Sequence, residues 1–182
     1  MDNGAQQIFT LLLSCLLLQI IHCEHTNASH AIQKKIIDTL QKQNLTQFLD
    51  LLKKADLLET ISTHTISLFA PLNSAFNALT QEQKKLLTHH PKKIGTLHIV
   101  EKPLDKHTLS NLGSTHQTIP TMNSNFILLF VHEGPATLLV WPVKKQGKTP
   151  EHMATIQGSI TIDNGTIHVI DTVFMPSIIP HK

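Results

Sequence analysis

The apolar positions of the chain change rhythm once, near its middle. In the first half Ile32, Ile36 and Leu40 recur every four residues, which predicts a helix over residues 28–43 with one buried face. Asn44, with Gln47 three residues on, has the capping-box arrangement and predicts the start of a second helix. Phe48, Leu51, Leu52, Ala55 and Leu58 then keep helical spacing as one run. Thr80 with Gln83 repeats the box ahead of a short helix bearing Leu86 and Leu87, and Pro91 is expected to end it. In the second half the period falls to two. Residues 126–131 and 136–141 flank Glu133-Gly134-Pro135 and predict a hairpin. Residues 142–152 read as a loop on composition. "SITIDNGTIHVID" predicts a second hairpin: Ile160 and Ile162 alternate, Asn164-Gly165 forms a two-residue turn, and Ile167 and Val169 return. Helices first and strands later favour an α+β class over alternating βαβ units.

Between the two regimes lies "ISLFAPLNSAF", residues 66–76. Residues 67–70 read as a strand with Leu68 and Phe69 on opposite faces. Pro71 has no N–H to donate and ends the ladder. Asn73 is suited to cap the helix that follows, where Phe76 and Leu79 share a face. The stretch therefore reads as a structural joint, with Phe69, Phe76 and the isoleucines of the last hairpin expected in one shared interior. A nucleophile elbow needs glycines around its serine and a phosphate loop needs glycines and a lysine; neither surrounds Ser74.

The first residues add a compartment. Residues 8–21, "IFTLLLSCLLLQII", carry no charge; the run is short for a bilayer span and of the length of a secretory signal's apolar part. The organisation expected is a signal peptide over 1–23, a short linker over 24–27, one domain over 28–178 and a tail over 179–182. Leu12-Leu13-Ser14-Cys15 also resembles a bacterial lipobox. The alternatives to secretion, extracellular or periplasmic, are thus a lipid anchor through Cys15 or Cys23, or an uncleaved leader. Both cysteines lie in this leader, so the domain itself has no disulfide, thiol nucleophile or cysteine metal site.

Composition then removes function classes. With 182 residues and 41% apolar residues, the chain supports one ordinary core. All 15 basic residues are lysine, and the net charge is +2. Bidentate reading of guanines and phosphates leans on arginine, so nucleic acid is not an expected partner. There are 13 histidines but no His-Glu-x-x-His spacing, and His89-His90 is the only adjacent pair. No catalytic residue, metal or cofactor is assigned. His98 and His168, inside apolar segments, and Asp171, at the end of the last strand, read as structural. Free imidazoles titrate near about 6.5, so positive charge should rise below pH 6 and strengthen binding to an anionic surface. Asn27, Asn44 and Asn164 head N-glycosylation sequons.

At this point "SLFAPLNSAF" resembles the first signature segment of the fasciclin family, the FAS1 domain, and "GTIHVIDTVFMP", residues 165–176, resembles the second. "LHIV" between them is similar to the family's Tyr-His segment, which makes Leu97, His98, Ile99 and Val100 the candidate interaction segment. Phe69, Pro71, Asn73, Phe76, Asn164, Gly165, His168, Asp171 and Pro176 match signature positions that the resemblance implies are structural. The fold implied is a FAS1-like wedge of β-strands with several packed helices. The function implied is a secreted or surface-held, non-catalytic cell-adhesion or surface-interaction module, its partner a protein or glycan of a cell surface or matrix. Membrane contact is expected only through a lipid or the uncleaved leader. Two departures argue against integrin: the family's tyrosine is replaced by Leu97, and its Asp-Ile pair by Ser159-Ile160. An integrin reads a carboxylate through a bound metal ion, and a serine offers none. The alternatives are a small-ligand carrier or pocket-bearing enzyme, and a histidine-dependent, acid- or metal-responsive surface protein.

Overall fold

The computed structural model describes residues 27–133, 137–144 and 153–176. The leader with Cys15 and Cys23, the Gly134-Pro135 turn, most of the 142–152 loop and the tail lie outside the described residues. Helix α1 runs from 27 to 42, followed by α2 (Thr46–Lys54) and α3 (Leu58–Thr63). Strand β1 (Ile66–Pro71), helices α4 (Asn73–Asn77), α5 (Gln81–His89) and α6 (Pro91–Gly95), a 3-10 turn at Thr96–His98 and strand β2 (Ile99–Val100) come next. The chain continues through α7 (Lys106–Ser114), β3 (Thr118–Pro120), β4 (Phe126–Glu133), β5 (Thr137–Lys144), β6 (Ala154–Ile162) and β7 (Gly165–Ile170). The class is α+β.

The strands form one sheet in the order β2-β1-β7-β6-β5-β4-β3. Its centre is the parallel pair β1 and β7, with Ile66 opposite Gly165 and Phe69 opposite His168. The other neighbours are antiparallel. Among the described residues β5 and β6 are joined at Leu139 with Thr155 and Val140 with Ala154. Both predicted hairpins form, but the composition-based loop begins too early: Pro142 and Val143 belong to β5, paired with Leu128 and Ile127.

The expected single interior is two. Leu68, Ala70, Phe76, Ile162 and Ile167 pack with α1, α2 and α3, whereas Phe69 and Ile170 pack with Leu109 and Leu112 of α7 and with Phe130 and Val140. Successive side chains of a strand point to opposite faces, and every position of β1 is buried, so both of its faces are covered. The joint does not bring Phe69 to Phe76; it supplies one to each core.

The helix boundaries depart from the local signals at two places. Asn44 does not cap α2. It has φ +56 and ends α1: the Asn44 N–H donates to Gln41 O (2.9 Å) and the Leu45 N–H to Leu40 O (2.8 Å). Asp56, at φ +54, ends α2 in the same way, with Leu57 N–H on Leu52 O (3.1 Å), so the helix expected to run through Leu58 is two helices. The Thr80–Gln83 box is present in full. Pro91 follows the end of α5 and is itself the first residue of α6, where its missing N–H is no loss.

Candidate functional site

Asn73 is the first residue of α4, whose own N-cap, Leu72, offers no side-chain bond. Its side chain instead serves α2. Asn73 Oδ1 accepts from the Gln47 N–H (3.0 Å), and Asn73 Nδ2 donates to Thr46 Oγ1 (3.1 Å). Gln47 Nε2 returns a bond to Asn77 Oδ1 (3.2 Å). An orphan donor of α2, the Gln47 N–H, is therefore met from across the fold, which corrects the local reading of both Asn44 and Asn73. Pro71 closes β1, and the Leu72 N–H carries the ladder on to Ile170 O (2.9 Å).

The candidate interaction segment is interior. Leu97, His98, Ile99 and Val100 are each 0% exposed, so none of the four can meet a partner in the folded protein. His98 Nδ1 donates to Ile94 O (3.0 Å), and Nε2 accepts from the Phe174 N–H (2.9 Å), which sets a single neutral tautomer. The ring stacks on Phe174 with centroids 4.8 Å apart and meets Phe48 at 5.6 Å. Burial pushes His98 down from 6.5 to about 4, against the opposing pull of the Ile94 carbonyl.

His168 lies across the sheet in the same line of rings. Phe69 is 6.0 Å from Phe174 and 5.1 Å from His168. Burial also holds His168 at about 4, with the Leu104 backbone pulling weakly the other way, and its Nε2 has no partner in hydrogen-bond geometry. Nδ1 is 2.8 Å from Oγ of the exposed Ser159. A serine beside an imidazole is the first requirement of a nucleophile pair. An imidazole held near 4 is a poor base at neutral pH, so the pair reads as a hydrogen bond on the sheet face.

The last hairpin turns at Asp163 and Asn164, one residue earlier than the Asn-Gly pattern predicts, because Ile162 pairs with Gly165. The positive φ, +152, is at Gly165, and a Cβ there would sit 1.7 Å from Ile66 O. Glycine is required by the approach of β1. Asn164 is a clamp: Nδ2 donates to Ile61 O (2.7 Å) and His64 O (2.8 Å), and its backbone carbonyl accepts from the Ile66 N–H (2.9 Å). Asp171 is exposed; its Oδ1 accepts from the Thr155 N–H (2.8 Å) and its Oδ2 from Gln157 Nε2 (3.3 Å). Phe76 and Pro176 are buried.

Nearly every side chain singled out from the sequence is thus engaged in holding the fold. What that reading missed lies outside: a shallow cleft of about 170 Å³ between α2, α4 and α5, lined by Gln47, Asp50, Leu51, Lys54, Phe76, Leu87 and Thr88. Ligand pockets usually enclose roughly 300–1,000 Å³, so this cleft does not favour a carrier of drug-sized ligands. No local pattern announces it, since three separate helices build it. Among the described residues no group of three or more histidine, cysteine, aspartate or glutamate side chains is placed to hold a metal ion. Among the same residues no helix is long and apolar enough to cross a membrane.

Comparison with known proteins adds two findings. The family model described as Fasciclin domain matches residues 43–176. The fold is similar to that of a FAS1 domain pair from the insect cell adhesion molecule fasciclin I, with 22% identity and a TM-score of 0.60. That likeness covers 74% of this chain and 46% of the other, so the chain spans less than half the length of the pair.

Proposed function

Because the chain belongs to the fasciclin family, we propose that it is a secreted or surface-held module that works by binding a protein or glycan of a cell surface or matrix and not by catalysis. The observation that carries this reading is the family match over residues 43–176. The uncharged run over residues 8–21 supports export. The interior placement of the signature residues supports recognition by the exposed helices and loops, since Leu97 to Val100 contribute nothing to the surface. The integrin route of animal relatives is not part of the proposal: the aligned positions offer a buried leucine and a serine hydroxyl.

The test is direct. The purified protein is presented to live cells and to an array of glycans and matrix proteins, and mass spectrometry of the exported form reads its N-terminus, any lipid and any glycan. Saturable binding is expected, with an exported N-terminus that follows Cys23 or, for a lipid-anchored form, begins at the lipidated Cys15 or Cys23. Absence of binding to every surface, or a cytosolic chain with its leader intact, sinks the reading.

A further inference from the structure

We propose that the outer face formed by α2, α5 and α6 is a docking ledge for a linear sulfated polysaccharide. The inference rests on the module reading above and names its partner class. Residues 78–100 carry Lys84, Lys85, Lys92 and Lys93, with His89 and His90 between the pairs, against one carboxylate, Glu82. The fold turns these groups outward. Leu86 and Leu87 pack on the helical core and Ile94 is fully buried, while Lys85, His89, His90, Lys92 and Lys93 are exposed. Lys84 is half-buried, its Nζ donating to Asn77 O (3.3 Å).

Helix α2 extends the ledge. It packs against α6, as α5 does, and brings Lys53 and Lys54 in its last turn. Lys54 lines the cleft together with Leu87 and Thr88 of α5. Asp50 lies on α2 and Asp56 just beyond its end, so the segments that build the ledge carry six lysines against three acids. Among the described residues the one ion pair is Lys35–Asp163, which involves none of these groups. Unpaired like charges held together repel one another unless a polyanion is present.

The chemistry selects among polyanions. Lysine ammonium groups act as point charges and suit spaced sulfates. With no arginine in the chain, the bidentate fork that reads nucleic acid is missing. A bilayer-docking face adds apolar side chains to its lysines. Among the described residues the exposed large apolar side chain is Met153, beside β6 and not on the ledge.

The experiment measures binding of the purified protein to heparin, to chemically desulfated heparin, and to vesicles of phosphatidylcholine with about a third phosphatidylserine. Heparin is expected to bind, desulfated heparin and vesicles not, and affinity should fall steeply with salt as counterions are released. The variant K84Q/K85Q/K92Q/K93Q should lose roughly tenfold or more in affinity. The charge-matched variant K34Q/K42Q/K102Q/K106Q should stay within about twofold of the unmodified protein, and matching circular dichroism melts guard against misfolding. Equal loss in both variants, vesicle binding that equals heparin binding, or no preference for sulfated heparin overturns the proposal. A separate arm uses cells stripped of sulfated chains by heparinase. Undiminished binding there rejects the polysaccharide and leaves the module reading standing; no binding to untreated cells rejects the module reading itself.

Discussion

His98 and His168 are neutral rings whose hydrogen-bond partners among the described residues are uncharged. Around His98 lie the Ile94 carbonyl, the Phe174 N–H and the Phe48 ring. Around His168 lie Ser159, Phe69 and the Leu104 backbone. Both titrate near 4 in the fold against an ordinary 6.5. The unfolded chain therefore takes up protons first, and the stability these rings contribute is complete above pH 6.5 and drains away as pH falls toward 4. The loss is on the order of 2–3 kcal/mol per ring. Urea denaturation at pH 7.5, 5.5 and 4.5 should show it; a flat profile contradicts the assigned protonation. Asn164 gives a second prediction. Both hydrogens of its side-chain amide are donated to Ile61 and His64 carbonyls, so a glycan on that nitrogen is incompatible with the clamp. Material from a eukaryotic secretory host should carry no sugar at Asn164, and Asn164→Asp should cost roughly 1–3 kcal/mol of stability by leaving carbonyls unpaired. A folded protein glycosylated at that position would contradict it.

At the scale of elements, the cap of α2 shows what a sequence can and cannot say. The Thr80–Gln83 box was legible because both partners lie within one turn. Asn44 and Gln47 have the same spacing, yet Asn44 takes the left-handed position that ends α1, and the Gln47 N–H finds its acceptor at Asn73, 26 residues away. Local spacing records contacts of neighbours only. The two cores were hidden for the same reason: the alternation of Leu68 and Phe69 was visible, but the cover for the Phe69 face comes from α7 and β4, far along the chain. The turn register slipped by one because the approach of Ile66 O, and not the hairpin alone, decides where glycine must fall. Asn73→Ala should therefore weaken α2 and not α4, at about 1–2 kcal/mol. Hydrogen exchange should quicken first at Gln47 and Phe48, while Asn73→Asp, which keeps the acceptor, should recover most of the loss. Faster exchange confined to α4 would point back to a local cap.

Over the whole molecule, β1 and β7 stand between two interiors and contribute to both, while among the described residues β3, β4 and β5 join the rest of the sheet through Leu139–Thr155 and Val140–Ala154. Protection against hydrogen exchange should accordingly be greatest in β1 and β7 and lower in β4. Leu128→Ala should lower protection across β3, β4 and β5 by more than in β1. Uniform loss throughout the sheet would mean that the two interiors open as one. The parallel pairing of β1 with β7 has a further bearing on how the chain comes into being. A ribosome emits residue 66 long before residue 165, and until then the helical core lacks Ile162, Ile167 and Val173. The centre of the sheet is therefore completed last in synthesis: β1, buried at every position, waits about a hundred residues for the strand that flanks it.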